Sequence, residues 1–214
     1  MPSRPQQPIR LYRHALSGHC HRVELLLELL HLPYELVDIN LQQGEHKTPA
    51  FLQLNPFGLL PVIDDNGTIV ADSAAIMVYL ARQYGGQHYF PDSPQATAAV
   101  QRWLAVAAGP LASGPAAARI AVLFNKPVDT ARVQQTAHDL LQVLEHWLST
   151  RAFLAAEHET LADLAFYAYI AHAPEGNVSL VAYPHVRQWL ARIEQLPDFV
   201  PMQRSAVGLA AAEA

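Results

Sequence analysis

Apolar and polar positions alternate over residues 9–13 (IRLYR), which predicts a half-buried first strand. Over residues 21–32 the apolar positions Val23, Leu26, Leu27 and Leu30 fall at helical spacing. That segment reads as an amphipathic helix, opened near Ser17 and Gly18 and closed before Pro33. Alternation returns over residues 34–39 (YELVDI), a second strand. Residues 40–48 form a polar loop, and Pro49 suits the first turn of a short helix over residues 50–54. Apolar runs at 60–63 and 68–71 are joined through Asp64-Asp65-Asn66-Gly67. Asn-Gly between such runs signals a hairpin. Residues 73–84 form a helix with Ile76, Met77, Leu80 and Ala81 as its buried stripe, capped by Asp72 or Ser73. The order β-α-β-α-β-β-α implies two parallel strands with a crossover helix, followed by an antiparallel pair. This is a thioredoxin-like α/β arrangement.

Strand alternation disappears after the Gly- and Pro-containing segment 85–95 (GGQHYFPDSPQ). Helical patterns cover residues 96–108, 112–124, 130–149, 161–172 and 185–196, and Gly109-Pro110 is expected to kink or break the first of them. Thr160-Leu-Ala-Asp163 matches a capping box with Asp in place of Glu, a structural anchor for the helix it opens. The expected organisation is a thioredoxin-like domain over 1–84, a linker over 85–95 and an all-α domain over 96–214. The Ala-rich last seven residues are expected to fray.

Composition narrows the function classes. Hydrophobic residues make up 51% and charged residues 15%, with a net charge of −5. That argues against disorder and against a nucleic-acid binder that neutralises phosphates. The lone cysteine, Cys20, excludes an internal disulfide and a multi-cysteine metal site, and it fits a reducing compartment. No run approaches the ~18 consecutive apolar residues of a membrane span, and the first seven residues lack an apolar signal core. A cytoplasmic location is expected, with no membrane or nucleic-acid partner.

Several positions could carry chemistry. Ser17 precedes a helix, where a hydroxyl either caps the helix or donates to an anion above the N-terminus. Leu60-Pro61 opens a strand; a trans bond is the commoner form, while a cis bond could free the Leu60 backbone to pair with an extended ligand. Asp72 and Ser73 read as a plain cap, or as a pair holding an ammonium and a carboxylate. His46 and Lys47 are solvated surface or donors to a second carboxylate. His19-Cys20-His21 does not read as a metal site, because residues two apart do not share a helix face. Cys20 is either a small buried core residue or a thiol activated by the helix N-terminus.

Taken in order, LYRHALSGHCHRVELLLELLHLPYELVDINLQQGEHKTPAFLQLNPFGLLPVIDDNGTIVADSAAIMVYLARQY resembles the glutathione-binding domain of cytosolic glutathione S-transferases, especially bacterial and theta-like members with a serine in the first loop. TLADLAFYAYI and VAYPHVRQWLARIEQLPDFVPM resemble the capping-box helix and the late helix of the family's α domain. The resemblance implies glutathione as thiol substrate, no metal, and Ser17 as the catalytic hydroxyl. It implies a cis Pro61, with Leu60 pairing with the cysteinyl backbone of glutathione. Asp72 and Ser73 would hold the γ-glutamyl end, and His46, with Lys47 as a second donor, the glycine carboxylate. It also implies a homodimer and a pocket for a small hydrophobic electrophile between the domains, with Trp103 as a candidate wall. Two positions depart from the pattern. His19 stands where many relatives carry Asn, and Leu59 where a polar or basic residue is common. Two other functions stay open: glutathione-dependent disulfide reduction or peroxidase activity, with Cys20 as rival nucleophile, and a non-catalytic binding protein that kept the fold.

Overall fold

The computed structural model describes residues 4–212. The chain divides into two compact units. The first runs to Pro91 and includes Pro197–Met202; the second comprises Asp92–Leu196 and the chain from Gln203.

The first unit is built on a four-stranded sheet of order β2-β1-β3-β4. β1 (Ile9–Arg13) pairs in parallel with β2 (Tyr34–Asp38), Ile9 opposite Tyr34. It pairs antiparallel with β3 (Val62–Asp65), Leu11 opposite Ile63. β4 (Thr68–Ala71) closes the hairpin. Asn66 and Gly67 form the two-residue turn, with φ of 51° and 90°, the positive values a type I′ hairpin requires. β3 begins at Val62 rather than at residue 60, since Pro61 has no N–H for a ladder. The crossover helix α1 (Gly18–Leu29) starts earlier than the apolar periodicity indicates, because Ser17 caps it. α2 (Pro49–Leu54) has Pro49 in its first turn, and α3 (Ser73–Gln83) is capped by Asp72. Ile9, Leu11, Val62 and Ile63 of the sheet are fully buried, as are Val23, Leu26 and Leu27 of α1 and Ile76, Met77 and Leu80 of α3. Each such side chain contributes about 1.5–3 kcal/mol of burial, and this core holds the starts of α1 and α3 in place.

The second unit is all helical among the described residues: α4 (Pro94–Val106), a π-helical stretch (Ala107–Ala116), α5 (Ala117–Leu123), α6 (Thr130–Leu148), α7 (Leu161–Ala171) and α8 (Pro184–Glu194). Gly109-Pro110 does not break the helix. The chain instead widens into the π stretch, which also contains Pro115. Proline has no N–H and clashes with the carbonyl four residues back; a wider turn moves that carbonyl away. Gly114 is required there, because a Cβ would come within 2.8 Å of the Ala137 nitrogen on α6.

The resulting helical run Pro94–Leu123 is 30 residues long and apolar enough, by length and composition, to cross a membrane. Charged and polar residues interrupt it, so it contains no unbroken apolar stretch of that length. Its interior charge, Arg119, is buried and paired with Glu175 at 2.6 Å, and Val100, Trp103, Leu104 and Leu111 are buried within the unit. Those contacts pack one side of the run inside the second unit. α7 is buried on every side, as expected for a helix apolar all round. Gly208–Ala212 form a 3-10 turn; the last two of the seven residues expected to fray lie outside the described range.

Candidate active site

Ser17 is the N-cap of α1, with extended backbone angles. Its Oγ accepts from the Cys20 N–H at 3.3 Å. This does not use up the hydroxyl, which carries one proton to donate as well as two acceptor lone pairs. Helix geometry leaves the first-turn amides of α1 without intrahelical acceptors. A group placed above Ser17 would therefore meet an O–H donor and the positive end of the helix dipole.

The Leu60–Pro61 bond is cis. The β3 ladder starts at Val62, so the Leu60 N–H and C=O lie outside it. The preceding loop is organised by Asn55, which the sequence reading missed. Asn55 is buried; its Nδ2 donates to the Leu59 carbonyl at 2.9 Å and its Oδ1 accepts from the Phe57 N–H at 3.1 Å. An Asn before Pro-Phe-Gly is a turn signal of the Asx type, and it was the clue available. Lys47 fastens the same loop, donating from Nζ to the carbonyls of Phe57 and Gly58 at 2.9 and 3.0 Å. Gly58 has φ +57°, and a Cβ there would come within 2.6 Å of the His46 carbonyl oxygen. The loop thus closes tightly over residues 46 and 47. His46 Nδ1 is buried and has no hydrogen-bond partner among the described residues.

Asp72 adopts φ 75°, ψ 127°, a region costing about 1–3 kcal/mol for a residue with a side chain. Its Oδ1 accepts from the Ala74 and Ala75 amides at 2.9 and 3.1 Å. Both bonds fall on one oxygen, which leaves the other for an incoming donor. Ser73 begins α3 and is nearly buried. Its Oγ lies 3.4 Å from Arg22 Nη1 and 3.3 Å from His19 Nδ1. Arg22 and His19 are contributions that the sequence reading also missed. The signal was a charged residue, Arg22, set among the buried positions of α1.

Three of the sequence readings meet the structure here. Cys20 is 1% exposed, and burial pushes its thiol pKa up to about 11 despite the Ser17 hydrogen bond. Desolvation outweighs the hydrogen bonds from Ser17 and the His14 backbone, because the side chain faces the interior; Cys20 is a core residue and not an activated thiol. His19 and His21 point to different partners, Ser73 and the Val200 carbonyl, the latter at 2.8 Å. Trp103 is buried against Trp147 and Phe166, with ring centroids 5.5 Å apart in each case. These contacts place it in the interior of the second unit.

The site's order along the chain is a capping serine before α1, a basic loop, a cis proline before β3 and an acidic cap with serine on α3. The glutathione S-transferase N-terminal domain matches residues 16–83, and the family's C-terminal domain matches residues 95–197. The chain belongs to the glutathione S-transferase family. Glutathione S-transferase theta-1 of Bos taurus is 31% identical over 197 residues, covering 87% of this chain and 82% of that protein. The crystal structure of a glutathione S-transferase from Pseudomonas fluorescens has a TM-score of 0.86 and 31% identity, covering 92% of this chain and 99% of that one. A glutathione transferase homologue from Drosophila mojavensis, solved with bound glutathione, has a TM-score of 0.80 and 26% identity, covering 89% of each chain. Membership makes this protein a transferase with glutathione as its thiol substrate. Among the described residues, no group of three or more His, Cys, Asp or Glu side chains could hold a metal ion.

Proposed function

We propose that Ser17 and the N-terminus of α1 hold glutathione as its thiolate, for conjugation to a small hydrophobic electrophile. The observation that carries this reading is the Ser17 hydroxyl, which caps α1 through its Oγ and can be reached from solvent; a hydroxyl that accepts a cap bond can also donate its proton to a ligand sulfur. A free thiol has a pKa near 8.5 and is mostly protonated at neutral pH. Lowering it by about two units requires roughly 2.7 kcal/mol. One hydrogen bond to a charged sulfur supplies about 1.5–3 kcal/mol, and a helix terminus about 0.3–1 kcal/mol. The thiol proton leaves to solvent. The sulfur lone pair then forms the carbon–sulfur bond while the electrophile gives up a leaving group or accepts a proton.

In the same reading the Leu60 N–H and C=O pair with the cysteinyl backbone beside cis Pro61. The free oxygen of Asp72 accepts from the ligand ammonium, and the Ser73 hydroxyl donates to the γ-glutamyl carboxylate. His46 would serve the glycine carboxylate, with Lys47 beside it as a second donor. Leu59 supplies no polar contact. Phe57 and Leu59 are 76% and 62% exposed in this one loop, which supports a homodimer that covers them. A cytoplasmic location fits a lone reduced cysteine. The burial of Cys20 weighs against thiol exchange through that residue as the main activity.

Calorimetric titration with glutathione, followed by a conjugation assay on Ser17→Ala, tests the proposal. Millimolar glutathione is expected to bind both proteins, with turnover lost in the variant. No binding by the wild-type protein would favour a non-catalytic role.

A further inference from the structure

His19 and Arg22 stand three residues apart on α1 and so share a face. Both reach one atom, the Ser73 Oγ, from 3.3 and 3.4 Å. A guanidinium has no acceptor, so Arg22 donates. Burial and the nearby Arg22 charge push the His19 pKa down to about 3, so the ring is neutral at ordinary pH and holds one proton. Nδ1 then has two options. It can accept the Ser73 proton, which turns the hydroxyl inward. Or it can carry the proton itself, in which case His19 and Arg22 both donate to Oγ and the hydroxyl proton turns outward.

We infer that His19 is a positioning residue: its Nδ1–H tautomer, together with Arg22, sets the Ser73 hydroxyl as a donor that selects a carboxylate at the γ-glutamyl end of the ligand. The inference rests on the assignment of Ser73 to that end of glutathione. An ionised carboxylate only accepts hydrogen bonds, so it binds one of the two states and rejects the other. Binding and tautomer are therefore coupled, and the ligand shifts the population toward Nδ1–H. Two donors on Oγ also polarise its O–H and strengthen the bond it makes. An Asn side chain can place an amide N–H where Nδ1–H stands; a Leu side chain cannot.

The test uses glutathione and the analogue γ-aminobutyryl-cysteinyl-glycine, which lacks the γ-glutamyl α-carboxylate. Both are titrated calorimetrically into the wild type, His19→Asn and His19→Leu. His19→Leu is expected to lose about five- to tenfold in glutathione affinity, the scale of one net hydrogen bond, and to bind the analogue as the wild type does. Its kcat at saturating glutathione stays within about twofold of wild type, since ground state and transition state lose the same contact. His19→Asn recovers the affinity. In the wild type, nitrogen-15 NMR shows His19 as Nδ1–H with glutathione but not with the analogue, a readout that needs no variant to fold. Equal losses for both ligands, wild-type affinity in His19→Leu, or an Nε2–H tautomer in the glutathione complex would each overturn the inference. If the wild type fails to bind glutathione, the transferase reading falls and the inference with it. If the wild type binds and His19→Leu is unchanged, the inference alone falls.

Discussion

The helix starts in the two units carry similar oxygen caps and leave them in different states. At the start of α7, Asp163 Oδ1 accepts from the Leu154 amide and from Trp189 Nε1, both at 2.9 Å. Its Oδ2 accepts from the Thr160 amide at 2.9 Å and the Thr160 hydroxyl at 3.1 Å. Thr160 and Asp163 are fully buried. Nothing is left over, and no ligand could approach. At the starts of α1 and α3, Ser17 and Asp72 also cap their helices, but both can be reached from solvent; a serine hydroxyl can donate as well as accept, and both cap bonds of Asp72 fall on one oxygen. The same local chemistry thus serves stability where every lone pair is occupied and binding where one is spare. Hydrogen-bond capacity, not residue type, separates the two.

Each arm of this contrast can be broken by mutation. Asp163→Ala strands several buried donors and should cost about 3–5 kcal/mol, read as a lowered urea midpoint. Ser17→Ala should cost only about 1 kcal/mol of stability. Its turnover at pH 7 should fall about eightfold, the loss of thiolate as the thiol pKa rises from about 6.5 to about 8, with the helix terminus still holding part of the shift. Parity between Ser17→Ala and Asp163→Ala in stability, or full activity in Ser17→Ala, would erase the distinction. Thr160→Ala should lose about 1–2 kcal/mol with unchanged glutathione affinity. Cys20→Ala should conjugate within about twofold of wild type, and native Cys20 should resist iodoacetamide at pH 8, since its thiol stays protonated and buried.

A further effect concerns pH. His19 has a folded pKa of about 3 against an ordinary value of 6.5, so between these values the unfolded chain binds more protons. Its contribution is fully present above pH 6.5 and is lost as pH falls from there toward 3. The urea midpoint of His19→Asn should therefore fall less steeply than that of the wild type across this window.

Much of this was legible in one dimension. Period-two and period-3.6 patterns located the strands and helices, Asn66-Gly67 marked the hairpin, and Thr160 with Asp163 announced the α7 cap, because each depends on residues close in sequence. Ser17 and Asp72 were legible as caps for the same reason, although no spacing could say which caps keep a spare group. What stayed hidden depends on tertiary placement. Ser73 meets Arg22 and His19 across 51 and 54 residues of chain. The inward face of Cys20 follows from how α1 sits on the sheet. The π stretch was hidden because two prolines read locally as a break, while the close approach of α6 at Gly114 favours continuing the helix.

The most direct test of the central claim is the ionisation of glutathione on the enzyme, followed by the ultraviolet absorbance of the thiolate across pH. The bound thiol should titrate at pH ~6.5 in the wild type and rise to about 8 in Ser17→Ala, where only the helix terminus still lowers it. A bound thiol that titrates at the same pH in both proteins would contradict the assignment of Ser17.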